Sequence, residues 1–243
     1  MLCHIIPGVK GCRFGREHSL GVIIVDALRA SATSAMLLHF GVTEILVVKE
    51  IDTALRLRNV FSDILLYGER NGLPPKGFDY GNSPSEAIHA RGKRVVFTTT
   101  TGATLLFEAY PAGFVIMGTT VNLKSVCNFV KNQNLDVVIV PAGLYDDPTF
   151  PAEEDWATSV LIGKALDCEI CSGYEEFLFW KNKLESEGLE NIFKTSTHAQ
   201  KLIKINLFSD VLYSAQLNIT NSIPIVVEKK EDYLILKDAN NFN

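Results

Sequence analysis

Residues 22–33, Val22-Ile23-Ile24-Val25-Asp26-Ala27-Leu28-Arg29-Ala30-Ser31-Ala32-Thr33, pass from an unbroken apolar run, through a polar junction, into an apolar-periodic helix over 30–40. Four consecutive branched aliphatics flanked by polar residues read as a strand buried on both faces, the signature of a parallel sheet covered on both sides. The pattern recurs. Strands are predicted at 22–25, 45–48, 64–67, 95–98, 114–117 and 137–140, and helices at 30–40, 52–61, 85–90, 102–110 and 122–132. Such alternation requires crossover connections, so the fold class is α/β, with three α/β/α layers around a largely parallel or mixed sheet. Beyond Pro151 the rhythm changes to consecutive helices at 154–166, 174–187, 198–206 and 210–216. Two last strands, 225–227 and 234–236, read as a closing antiparallel pair around the polar turn at 229–232. No Pro/Gly/Ser-rich seam divides the chain. One domain over 1–243 is expected, with strand–helix alternation to 150 and a mainly helical remainder.

The chain is 47% hydrophobic and 21% charged, which supports a sizeable core and excludes a disordered protein. A formal net charge of -5 provides no global positive field for nucleic acid, so any anion must be held by local basic groups or through a metal ion. No apolar run approaches the roughly 18–20 residues that span a bilayer, and the first twenty residues lack a secretory h-region. A cytoplasmic protein without membrane partners is expected. Of five cysteines, Cys3, Cys12 and Cys127 are scattered, and Cys168 and Cys171 read as small apolar thiols near a helix. No disulfide framework is expected.

Ligands of open α/β sheets bind beyond the carboxyl ends of the strands, and each strand end here is polar. Asp26 and Arg29 follow the first strand, Glu69 and Arg70 another, with Asp79 further along the same loop, and Thr98, Thr99, Thr100, Thr101 and Gly102 a third; Asp155 stands a few residues beyond the strand at 137–140. The carboxylates of Asp26, Glu69, Asp79 and Asp155 suit a magnesium ion, which takes oxygen ligands. Arg29 and Arg70 suit the oxygens of an anion, and the threonine run opens a helix whose N–H groups can cradle one. Each residue also has an ordinary structural reading. Asp26 can cap the next helix and pair with Arg29 three residues on. Glu69 and Arg70 can form a surface ion pair, Asp79 can be a turn residue, and Ser83 reads as the cap of a helix starting at Pro84. Glu153, Glu154 and Asp155 fit a helix start electrostatically, and His198 reads as a surface or packing residue. The signal is their convergence on one end of the sheet.

The ordered blocks D-A-L-R-A-S-A-T (26–33), G-E-R-N-G (68–72), G-F-D-Y-G-N-S-P (77–84), T-T-T-T-G (98–102), P-A-G (141–143) and E-E-D (153–155) resemble the 2-phosphosulfolactate phosphatases, and the likeness extends through 198–210 and 222–224. The resemblance implies a magnesium-dependent hydrolase that removes phosphate from 2-phospho-3-sulfolactate, a step toward coenzyme M. It implies catalytic roles for Asp26, Arg29 and Arg70, and substrate contacts from Asn82, Thr99, Thr100, Thr101 and Gly102. Asp26, Glu69, Asp79 and Asp155 are the implied metal ligands, with Asp26 as ligand or as nucleophile. The implied partner is a small anionic phosphate ester, and an assembly of identical copies is left open. Thr101, Ala103 and Thr104 stand where the family's third block carries Asn, Thr and Arg, and Pro141 stands where it carries Cys. Loss of an Arg removes an anion partner, which fits a paralogue with another phosphoester substrate or an anion-binding protein without turnover.

Overall fold

The computed structural model describes residues 1–144, 147 and 149–242. These form strands β1 (Leu2–Ile5), β2 (Gly21–Val25), β3 (Glu44–Val47), β4 (Ile64–Gly68), β5 (Arg94–Thr98), β6 (Phe114–Met117), β7 (Val137–Pro141), β8 (Glu169–Ser172), β9 (Pro224–Lys229) and β10 (Leu234–Asp238). The α-helices in the first part of the chain are α1 (Gly8–Glu17), α2 (Ala30–His39), α3 (Ile51–Val60), α4 (Gly102–Ala109) and α5 (Leu123–Lys131). Those in the second part are α6 (Glu153–Leu166), α7 (Tyr174–Glu187), α8 (Leu189–Thr195), α9 (Thr197–Lys204) and α10 (Phe208–Ser214). The predicted elements all form, with ends shifted by a few residues at most; 85–90 becomes a short 3-10 helix, Glu86–Ala90.

The strands join in one sheet of order β4-β5-β3-β10-β9-β6-β2-β7-β1-β8. Two parallel blocks, β4-β5-β3 and β6-β2-β7-β1-β8, are stitched together by the antiparallel pair β9-β10. The late strands thus sit at the centre of the sheet rather than closing its edge. β10 pairs with β3 through Leu236 opposite Ile45, and β9 meets β6 at Ile225 opposite Ile116. Strand residues facing one side pack with α1, α2 and α4, as Ile24 and Val95 do with Cys12, Met36 and Leu106. On the other side α5 and α6 cover the second block, and α3 covers the first through Ala54 and Leu57.

Elements unforeseen in the sequence are β1, α1, β8 and α8. Helix α1 carries Gly8, Gly11 and Gly15, poor helix formers, yet two of them have packing reasons. A Cβ on Gly11 would lie 2.0 Å from the Ile6 carbonyl oxygen, and one on Gly15 would lie 2.4 Å from Cγ2 of Val22. Only bare backbone lets this helix press against β2. Strand β8 is short and alternates in exposure, as a sheet edge does. Next to it Cys3 and Cys168 form a disulfide, contrary to expectation. The two cysteines lie 165 residues apart in sequence, so their approach depends on β1 and β8 pairing, which no local pattern announces. Cys12 and Cys127 are buried thiols, and Cys171 is exposed.

Helices α8, α9 and α10 do not extend the layers. Phe193, Ala199, Leu202 and Val211 pack instead on Ala27 and Leu28, immediately beyond the end of β2. A helical cap therefore covers the carboxyl ends of the strands. Among the described residues no helix is long and apolar enough to cross a membrane.

Candidate active site

Beneath this cap lies a cavity of about 460 Å³, with Asp26, Glu69 and Asp155 on its walls together with Arg29 and His198. Asp26 is almost wholly buried where β2 ends. Its Oδ1 accepts from the N–H of Ala30 at 3.2 Å, so the capping role is real and coexists with a place on the cavity wall. The Ser31 hydroxyl accepts from the Asp26 N–H at 3.0 Å and donates to the Ile24 carbonyl at 3.2 Å, which fixes the junction. Oδ2 faces the start of α4: a Cβ on Gly102 would stand 2.9 Å from it. Gly102 therefore permits the close approach of α4 to Asp26.

The threonine loop is organised by Glu69. Its Oε1 accepts from the N–H and hydroxyl of Thr100 at 2.8 and 2.9 Å, and its Oε2 from the N–H of Gly72 at 3.0 Å. Glu69 thereby ties the β4 loop to the β5 loop, rather than pairing with Arg70. The Thr99 hydroxyl accepts from the N–H of Ala103 at 3.1 Å, a cap-like bond. With these two N–H groups engaged, the open anion cradle expected here is not formed by them. Thr100 and Thr101 do reach the cavity wall.

Arg29 does not pair with Asp26. Its buried guanidinium donates to Asp210 at the start of α10 and to the Gly72 carbonyl, the latter at 2.8 Å. Asp210 in turn accepts from the Ser83 hydroxyl at 2.7 Å. Ser83 is accordingly a tie to α10 and not a helix cap. Asn82 is buried on the same wall, and its Oδ1 has no hydrogen-bond donor among the described residues. Thr99 and Gly102, expected to contact substrate, do not line the cavity, and two further expected site residues stand apart. Asp79 pairs with Arg58 and accepts from the Leu66 N–H at 2.8 Å. Arg70 donates to the Glu69 and Lys49 carbonyls at 2.7 and 2.6 Å and to the Thr98 hydroxyl at 3.1 Å. Neither lines the cavity.

Asp155, on the first turn of α6, accepts from the N–H groups of Ala27 and Gly143 at 2.8 and 3.0 Å. Burial pushes its carboxyl pKa well up, the charges of Glu154 and Asp26 add to this, and the two N–H bonds only partly oppose it. Burial likewise raises Asp26 to about 6, with His198 and the Ala30 N–H opposing and Glu69 and Glu154 reinforcing. His198 is the residue that sequence reasoning undervalued. Its Nδ1 lies 3.2 Å from Oε1 of Glu154, which is fully buried and whose Oε2 is unpartnered. Burial alone would lower the imidazole pKa; the bond to Glu154 and the charges of Glu154 and Asp26 outweigh it and leave the pKa raised. Glu153 accepts from the Thr197 N–H and hydroxyl at 3.1 and 3.0 Å, anchoring α9 to α6. The acidic triplet at the start of α6 thus serves three different purposes. Nothing in the local sequence pairs it with a helix 44 residues away.

Among the described residues no group of three or more His, Cys, Asp or Glu side chains is arranged to hold a metal ion. The expected four-carboxylate set is not formed, because Asp79 is held by Arg58 and the Leu66 N–H away from the cavity. A smaller donor set does suit magnesium, which commonly binds through one or two carboxylates, waters and substrate phosphate. Asp26 and Asp155 would supply it, two buried carboxyls whose repulsion a cation would offset.

The family described as 2-phosphosulpholactate phosphatase matches residues 14–229. A probable 2-phosphosulfolactate phosphatase of Carboxydothermus hydrogenoformans is 34% identical over 203 residues, covering 84% of each chain. One of Deinococcus radiodurans is 32% identical, over 84% of this chain and 87% of the relative. With a match of that extent and a strand-end site built from the same sequence blocks, the chain belongs to the 2-phosphosulpholactate phosphatase family.

Proposed function

We propose that the chain is a magnesium-dependent phosphatase acting on a small anionic phosphate monoester, with 2-phospho-3-sulfolactate as its substrate. The reading is supported above all by one observation: buried Asp26 and Asp155 share a cavity wall with Arg29 and with a His198 held by Glu154. Asp26 and Asp155 would hold the ion, which when bound neutralises charge on the phosphoryl oxygens. Arg29, held by Asp210 and the Gly72 carbonyl, offers its remaining N–H groups to a phosphoryl oxygen. Its orientation is fixed before substrate arrives, so little ordering cost remains. His198, kept as imidazolium by Glu154, donates a proton to the ester oxygen as its bond to phosphorus breaks. Water supplies the new P–O bond, and its proton restores the imidazolium through solvent. The leaving alcohol and inorganic phosphate are the products, a chemistry consistent with a place in coenzyme M synthesis.

The test is phosphate release from 2-phospho-3-sulfolactate and from phenyl phosphate, with and without magnesium. Wild type should release phosphate only with the ion, and Asp26→Asn should lose at least about a thousandfold in kcat. Activity near wild type in that variant would sink the assignment. Binding of phosphate or sulfonates without turnover of any ester would favour the anion-binding reading. The substitution of Thr104 for the family's Arg gives that reading little support, because the Thr104 hydroxyl donates to the Thr100 carbonyl and the residue does not line the cavity.

A further inference from the structure

The cavity wall carries both signs of charge. Asp26, Glu69 and Asp155 contribute carboxylates. Arg29, His198, Lys201 and Lys204 contribute cations, with His198 near enough to Asp26 for their charges to interact. Two of these four cations are already matched: Arg29 by the buried carboxylate of Asp210, and His198 by Glu154. Among the described residues Lys201 and Lys204 form no ion pair, although the charge of Lys201 reaches Asp147. The ammonium of Lys201 lies 4.6 Å from the centroid of the Phe150 ring, a contact that orients it without neutralising it.

Both lysines project from α9, three residues apart and therefore on one face. That face is held in place. Ser196 caps the helix by accepting from the Ala199 N–H at 3.1 Å, Glu153 binds its first residue, and Ala199 and Leu202 are buried against Ala27 and Leu28. The anchored backbone of α9 thus brings two exposed lysines to the cavity that the carboxylates also line. Buried Asn82 lines the same cavity and presents an amide oxygen that has no donor among the described residues. A ligand that satisfies such a wall carries a hydroxyl-bearing or ester-bearing centre and a strong anion remote from the phosphoryl group.

We propose that Lys201 and Lys204 form a second anion subsite, which selects phosphate esters bearing an additional sulfonate or carboxylate over simple phosphate esters. This rests on the reading of the cavity as a phosphate-ester site and assigns the residues that set its specificity. The compensation is direct: cationic partners for the substrate's acid groups come from α9, not from the helix that begins at Gly102.

Steady-state kinetics on 2-phospho-3-sulfolactate, 2-phospholactate and phenyl phosphate test the subsite in wild type, K201M, K204M and the double variant, with circular dichroism confirming the fold. In the double variant the kcat/KM ratio of the sulfonated ester to phenyl phosphate should fall roughly ten- to hundredfold, mostly through KM. The paired Arg variants should recover most of it. A larger loss for the sulfonated ester than for 2-phospholactate assigns the sulfonate to the lysines; equal losses assign the carboxylate. A ratio within about twofold of wild type overturns the proposal. Should wild type hydrolyse none of the three esters, the phosphatase reading fails, and calorimetric titration with 3-sulfolactate decides the subsite separately. Binding weakened in the double variant sustains it, whereas unchanged or undetectable binding overturns it.

Discussion

At the scale of the residue, Asp26 carries two conflicting duties. In the folded chain its carboxyl pKa rises from 3.8 to about 6 because burial and neighbouring Glu69 and Glu154 disfavour the anion. The folded state then binds more protons than the unfolded one between those values. Its stabilising contribution is complete below about pH 4 and is lost as pH rises through about 6. Asp26→Asn removes this loss while keeping an acceptor for the Ala30 N–H. Its Tm at pH 7.5 without metal should exceed wild type by roughly 3–6 °C, with the gap narrowing at pH 4.5. A variant less stable than wild type at both pH values would contradict this account. His198 titrates in the opposite functional sense. If the imidazolium is the proton donor, kcat/KM falls as pH rises through its raised pKa. Glu154→Gln removes the hydrogen-bonded charge that sustains the imidazolium, so the alkaline fall should move to lower pH. A pH–rate profile in which that fall stays in place would take His198 out of the mechanism.

At the scale of the element, the site depends on how closely secondary structures approach. The N-terminus of α4 comes so near β2 that a Cβ on Gly102 would contact Asp26 Oδ2 at 2.9 Å, Ala30 Cβ at 3.0 Å and Thr99 Oγ1 at 3.1 Å. The easiest of these to displace is the Asp26 carboxylate, the group proposed to hold the metal ion. Gly102→Ala should therefore keep its fold by circular dichroism yet lose about a hundredfold in kcat, as misplacement of a reacting group by about 1 Å can cause. Normal kcat in a folded Gly102→Ala protein would show that the approach is not critical. The cap helices act through ties to the strand-end loops: Asp210 joins α10 to Arg29 and Ser83, while Glu153 and Glu154 join α6 to α9. None of these ties is between neighbours in sequence.

At the scale of the whole molecule, β9 and β10 hold together two parallel blocks that would otherwise expose unpaired inner edges. Leu236, fully buried in β10, packs in the main core with Ile45 and Val47 of β3. Leu236→Ala should cost about 2–5 kcal/mol by urea denaturation, whereas Val227→Ala, at a position 38% exposed in β9, should cost little. Equal effects would mean that the junction is not central to stability. The sequence alone determined the alternation of elements, the α/β class, the polar strand ends and the family, because each is written in short periodic patterns or contiguous motifs. It marked Asp26, Glu69, Asp155 and Thr100 for the site because ligands of such sheets collect where strands end. Only tertiary structure decided which polar groups meet. It drew Asp79 to Arg58, gave Arg29 to a carboxylate 181 residues away, made a disulfide of Cys3 and Cys168, and placed the last strands mid-sheet. The physical reason is that local pattern sets which face of an element is apolar. Burial of all those faces together then sets which elements are neighbours, and therefore which buried charges must find one another.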